Sequence, residues 1–188
     1  MAGPKKWRLL DSRVVYDAPR WLRLRKDRCR LPGGLEIDDY FVLEVPDYCM
    51  LVPVLDDGRL VMTREYKHAV GRVTLQLPAG LVDSRDRSPR QAALRELEEE
   101  TGYRPGRLEK LGSFYTVPGR LANRMHLFLA TSLRFTGRRH WDQTEQIETV
   151  LAPPARCLEW IRRGGIKDQA STLGILLAAD RLARRGPR

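Results

Sequence analysis

Residues 95–103 read "RELEEETGY": four glutamates, Glu96, Glu98, Glu99 and Glu100, fall within nine residues of a chain whose formal net charge is +10. Just upstream, "RSPRQAAL" supplies a helix start. Ser88 suits the cap, Pro89 the first helical position, and Gln91, three residues after the serine, can reach back to close a capping box. Gly102 suits a left-handed C-terminal stop. These signals predict a helix over 89–101, with Ala92, Ala93, Leu94 and Leu97 as its apolar contacts. Helical positions three and four apart are neighbours, so Glu96, Glu99 and Glu100 form one cluster while Glu98 points elsewhere. Like charges at that spacing cost an isolated helix roughly a few tenths of a kcal/mol, so the cluster needs water or a cation. Mg²⁺ meets that need, because it takes oxygen ligands from carboxylates and substrate phosphates together. A solvated acidic face is the competing reading. The stretch before the helix, "LQLPAGLVD", favours a site, because Gly80 lets the backbone come close to a ligand.

Around this helix the chain reads as an α/β (α+β) protein. Its 188 residues suit one domain with a small appendage. Hydrophobic content of 42% and charged content of 31% exclude disordered, collagen-like and membrane classes. No apolar run spans a bilayer, and "MAGPKKWRLL" lacks the apolar stretch of a signal peptide, so a cytoplasmic location is expected. Cys29, Cys49 and Cys157 are odd in number and widely spaced, which predicts three unpaired thiols rather than disulfides or a zinc site. Much of the positive charge lies near the two ends, as a solvated surface would have it, and nucleic acid is not the expected partner. "CMLVPVL" and "RLVMTREY" flank Asp57-Gly58 and predict a hairpin over about 50–66. "LEKLGSFYTV" and "MHLFLATSLRF" read as strands. "ARCLEWIRRGG" and "DQASTLGILLAADRLARR" read as helices, the second opened by Asp168 or Ser171. Strands, a helix, more strands and terminal helices predict helices covering a mixed sheet.

Gly80, Arg95-Glu96, Leu97, Glu99-Glu100, Gly102 and Tyr103 resemble the Nudix box, G-x5-E-x7-R-E-U-x-E-E-x-G-U with U an apolar residue. The second half matches without a gap. The loop before it is one residue longer than the pattern, and the first glutamate falls on Asp86 or Arg87. Asp86 can replace the salt bridge that this glutamate makes to the helix; Arg87 cannot. The resemblance implies a Nudix-type α/β/α sandwich with a mixed sheet over 46–188, preceded by N-terminal antiparallel strands over 1–45 that serve homodimer formation. It implies Glu96, Glu99, Glu100 and the Ala79 carbonyl as ligands of Mg²⁺ or Mn²⁺, with Arg95 orienting the carboxylates.

Within the family, "VPVLDDGRLVMTREYKHAVG", "SFYTVPG" and "IKDQAST" resemble ADP-ribose pyrophosphatases, and Pro118 stands sixteen residues beyond Gly102, a spacing associated with that substrate. The resemblance implies water attack on a diphosphate, giving AMP and ribose 5-phosphate from ADP-ribose. Arg64 resembles an arginine that contacts the diphosphate, and Gly80 and Pro118 are expected at the substrate. A general base is expected from "RRHWDQTEQIETV", with Glu145 favoured and Asp142 or Glu148 as alternatives. Trp141 can stack on a base or anchor its loop. Competing readings keep the chemistry with GDP-mannose or another nucleoside diphosphate sugar, or make the fold a nucleotide- or nucleic-acid-binding module.

Overall fold

The computed structural model describes residues 3–141 and 143–184. Asp142 and the last four residues, part of the basic C-terminal run, lie outside the described residues. Two compact units divide the chain: one holds residues up to 47 together with 115–124, the other 48–114 and 125 onward. The 115–124 segment thus joins the unit built mainly from the N-terminal strands.

In the first unit β1 (Arg8–Ala18), β2 (Leu22–Arg30) and β3 (Glu36–Glu44) pair antiparallel in the order β1-β2-β3. Few of its side chains are buried, among them Cys29, Val42 and Asp27. Asp27 is satisfied by the Ser12 hydroxyl at 2.6 Å and by Arg25 at 3.4 Å. Along the edge strand β1, Leu9, Val14, Val15 and Tyr16 stay exposed. The 116–123 loop is tied to this sheet: Leu43 donates its N–H to the Arg120 carbonyl at 2.9 Å, and the Tyr40 hydroxyl donates to the Gly119 carbonyl at 2.8 Å.

The second unit is an α/β/α sandwich, as its order of strands and helices predicts. Its central sheet runs β7-β4-β9-β8, from β7 (Ala79–Leu81), β4 (Tyr48–Pro53), β9 (Arg124–Phe135) and β8 (Tyr103–Tyr115). β4 and β9 are parallel and apolar on both faces, as a strand covered on both sides must be. Cys49 and Leu51 of β4 and Phe128 and Ala130 of β9 face α1 (Pro89–Thr101) through Ala92, Ala93 and Leu97. Met50, Val52, Leu127 and Leu129 face the other way. They pack with Cys157 of α2 (Pro154–Arg162) and Ile175 and Ala178 of α3 (Gln169–Ala183). Each fully buried leucine stabilises the unit by about 2 kcal/mol. A second sheet, β10-β5-β6, consists of β10 (Glu148–Ala152), β5 (Leu60–Lys67) and β6 (Arg72–Gln76). All three cysteines are unpaired, as their number and spacing predict, and all three are buried. No helix among the described residues is long and apolar enough to cross a membrane.

The expected hairpin over 50–66 is corrected. The Asp-Gly turn is present, with Gly58 donating to the Leu55 carbonyl at 2.9 Å and a single Val54–Leu60 bridge, but β4 and β5 then separate into different sheets. Burial on both faces makes β4 a central strand, and its parallel pairing with β9 overrides the local turn signal. The capping box is half formed. Ser88 accepts from the Gln91 N–H at 3.3 Å, while the Gln91 side chain accepts from Arg87 at 3.0 Å, one residue earlier than expected.

Candidate active site

The helix predicted over 89–101 forms with those bounds, Asp168 caps α3, and Gly102 ends α1 in the left-handed region at φ 75°. Leu97 anchors the apolar side of α1, so Glu96, Glu99 and Glu100 turn toward one flank and Glu98 toward another. Glu98 pairs with Arg104 at 3.1 Å and accepts from the Thr136 hydroxyl at 3.0 Å.

Arg95 organises the first flank. Its Nη1 donates to Glu96 at 2.7 Å and to Glu99 at 2.9 Å; its Nη2 donates to Asp86 at 2.9 Å and to the Leu81 carbonyl at 3.2 Å. Asp86, not Arg87, thus fills the role of the first glutamate in the loop. Its carboxylate also accepts from the Asp83 N–H at 2.9 Å, and the Asp86 N–H returns to the Asp83 carbonyl at 2.9 Å, so the extra residue is absorbed in a closed turn. The hydrogen bond from Arg95 holds the Asp86 carboxyl below its ordinary value, and the same bond is the first cause raising Arg95.

The remaining carboxylates are held against the preference of their charges. Burial raises the carboxyl of Glu96; Arg95 opposes this, and Glu99 and Glu145 add repulsion. Burial raises Glu100 well above the ordinary range, with Glu96 the next cause. Glu100 is only 4% exposed, and its Oε2 has no hydrogen-bond partner among the described residues. A buried carboxylate oxygen without a partner is costly. Gly80 on β7 makes room for this flank: a Cβ built there would overlap the Glu96 carboxylate, which would have to move aside.

These observations test the fit to a cation. The donors are carboxylate oxygens beside a strand of backbone carbonyls at Ala79 and Gly80, which is the chemistry a hard divalent cation selects. The unpartnered Oε2 of Glu100 and the glycine cradle at Gly80 both fit such an ion. Among the described residues no three acidic, His or Cys side chains already stand in ligand geometry; the Arg95 guanidinium lies between Glu96 and Glu99 instead.

Glu145 is half-buried, and its charge adds to the repulsion at both Glu96 and Glu100. Glu148 instead pairs with Arg64 across β10 and β5 at 2.8 Å. Arg64 is exposed there, on the face of β5 opposite the buried Thr63 and Glu65. Sequence reading missed Glu65 and Lys67. Their alternation with Thr63 puts them on the inner face. Lys67 Nζ is 2.6 Å from Glu65, and both charges act on Glu100. Trp141 anchors its loop: its Nε1 donates to the Glu100 carbonyl at 3.3 Å. His126 is buried, its Nδ1 2.9 Å from the Ser113 hydroxyl. Pro118 lies in the first unit, where it lines a cleft of about 530 Å³ with Arg25, Tyr40, Tyr115, Arg120 and Arg124.

Comparison with known proteins agrees with this geometry. The family model described as NUDIX domain matches residues 46–167, and the one described as nucleoside diphosphate sugar hydrolase N-terminal domain matches residues 7–43. An ADP-ribose pyrophosphatase of Mycobacterium tuberculosis is 34% identical over 81% of this chain and 74% of its own length. One from Bacillus subtilis is 34% identical over 77% of this chain and 78% of its own. The solved structure of an ADP compounds hydrolase matches the fold with a TM-score of 0.87, covering 99% of each chain at 22% identity. The matched span takes in the glycine strand, the Arg95 hub and the acidic flank of α1, and on it this chain belongs to the Nudix family.

Proposed function

We propose that this Nudix hydrolase cleaves the diphosphate of ADP-ribose to AMP and ribose 5-phosphate. The observation that supports the reading is the Glu96 carboxylate packed against Gly80 on the same flank of α1 as Glu99 and the buried Glu100, whose Oε2 has no partner among the described residues. The likeness to ADP-ribose pyrophosphatases supports the substrate. Glu96, Glu99, Glu100 and the Ala79 carbonyl would hold Mg²⁺ or Mn²⁺. Bound there, the ion supplies charge neutralisation at the diphosphate and polarisation of water.

The chain's own residues do the rest. Arg95, locked by Asp86, holds the carboxylates of Glu96 and Glu99 together on this flank. Glu145 takes the proton of the attacking water as its oxygen bonds to one phosphorus, and the bond from that phosphorus to the bridging oxygen breaks. Lys67 supplies a fixed cation on the cluster side of β5. Arg64 is assigned a part in substrate entry rather than in the cluster, because its side chain is exposed and points away from Thr63 and Glu65. Pro118 is assigned to the substrate by its spacing from Gly102.

A homodimer is part of the proposal: the exposed apolar residues of β1 support a second copy of the chain as their cover. Three buried, unpaired thiols support a reducing, cytoplasmic setting. The test of function is product identification with Mg²⁺ across ADP-ribose, GDP-mannose and other nucleoside diphosphate sugars. AMP and ribose 5-phosphate released fastest from ADP-ribose supports the reading. No AMP, with rapid cleavage of another nucleotide sugar, overturns it.

A further inference from the structure

The C-terminal end of α1 is capped in an unusual way. A helix leaves its last carbonyls without intrahelical partners. Here Gly102 N–H takes the Glu98 carbonyl at 2.8 Å, and one short segment after β9 takes the next three. His140 N–H donates to the Glu99 carbonyl at 3.1 Å, Trp141 Nε1 to the Glu100 carbonyl at 3.3 Å, and Arg139 Nε to the Thr101 carbonyl at 3.3 Å. Thr136 N–H adds a bond to the Gly102 carbonyl at 2.8 Å. The guanidinium of Arg139 lies 6.0 Å from the Phe135 ring centre and 5.8 Å from that of Trp141, so cation–π contacts brace the segment.

The carbonyls captured by His140 and Trp141 belong to Glu99 and Glu100, whose side chains form the acidic flank. Four residues beyond Trp141 stands Glu145, and beyond it Ile147 is buried at 4% exposure before β10 begins. The Glu145 stretch is therefore tied at both ends, by Trp141 on one side and by Ile147 and β10 on the other. We propose that Trp141 is a positioning residue for Glu145: its bond to the Glu100 backbone ties the loop's stem to the helical turn that carries the carboxylates. The inference rests on Glu145 being the base. A base four residues from a loose stem explores a wide volume, whereas one from a fixed stem starts near its reacting position, and small misplacements are expensive in rate.

Trp141→Phe keeps an aromatic ring beside Arg139 and removes the N–H together with part of the indole. Expected for Trp141→Phe are a kcat about tenfold lower, a KM for ADP-ribose within about twofold, and unchanged Mn²⁺ affinity by electron paramagnetic resonance. Combined with Glu145→Gln, the substitution should reduce the residual rate no further, because both changes act on one group. Additive losses in the double variant, or an unchanged kcat in Trp141→Phe, overturn the inference. Wild-type kcat in Glu145→Gln removes the base assignment and this inference with it. A nearly inactive Glu145→Gln beside a fully active Trp141→Phe removes the inference alone. A thermal melt checks that Trp141→Phe folds. If it does not, Arg139→Lys, which keeps the charge and loses the Nε donor to Thr101, is read by the same measurements.

Discussion

Two flanks of α1 carry the same residue type under opposite conditions. Glu98, on the outer flank, is answered by Arg104 and the Thr136 hydroxyl, and its carboxylate is as well satisfied as a surface acid can be. Glu100, two residues on, is almost wholly buried, repelled by Glu96, Glu65 and Glu145, and keeps an oxygen without a partner among the described residues. The outer flank stabilises the fold a little; the inner flank costs it stability. A protein that can satisfy Glu98 so readily has no structural need for Glu100, so the inner arrangement points to a cation and a reaction rather than to folding.

Substitutions on either flank test how far the two differ. Glu99→Gln with Glu100→Gln should lower turnover of ADP-ribose by about a thousandfold while leaving the melting temperature equal or higher, because like charges leave a buried site. Steady-state kinetics and calorimetry read both arms. Gly80→Ala should come next, with a loss of about a hundredfold, since its Cβ would displace the Glu96 carboxylate. Alanine at Gly80 with full activity would mean that the Glu96 position is not needed.

Asp86→Asn should cost about 2–3 kcal/mol in denaturant unfolding, through loss of a buried charge-assisted pair. Its pH dependence has a definite sign. The Asp86 carboxyl in the folded state lies below its ordinary value of 3.8, so the pair's contribution is complete above that value and is lost as pH falls through the folded pKa. The stability gap between wild type and Asp86→Asn should therefore be constant near neutrality and shrink in acid below about pH 4. Glu98→Gln is the smallest change: about 0.5 kcal/mol in stability, because Arg104 is largely exposed, and unaltered turnover.

How much of this was legible in the sequence depended on range. The bounds of α1 and its acidic clustering are local matters, set by Ser88, Pro89 and Gly102, and helical spacing alone separates Glu98 from its neighbours. The replacement of the missing glutamate by Asp86 could be offered as one of two positions and was decided by the bond to Arg95. The hairpin failed because a turn signal says nothing about which strand a partner will find; β4 paired with β9, far along the chain. Glu65 and Lys67 were invisible for a related reason. "TREYKH" looks like a solvated strand, and only the burial of Thr63 reveals which of its alternating faces turns inward, leaving Arg64 on the outside. The anchoring of Trp141 likewise joins residues some forty positions apart, beyond the reach of any motif.

The contrast between the flanks is tested most directly by titrating Mn²⁺ into the protein and following the free ion by electron paramagnetic resonance. Wild type and Glu98→Gln should bind with the same affinity, whereas Glu99→Gln with Glu100→Gln should weaken binding by at least about a hundredfold, or roughly 2.7 kcal/mol. Equal binding in all three proteins, or a loss in Glu98→Gln as large as that in the inner pair, would contradict the assignment of the metal to the inner flank of α1.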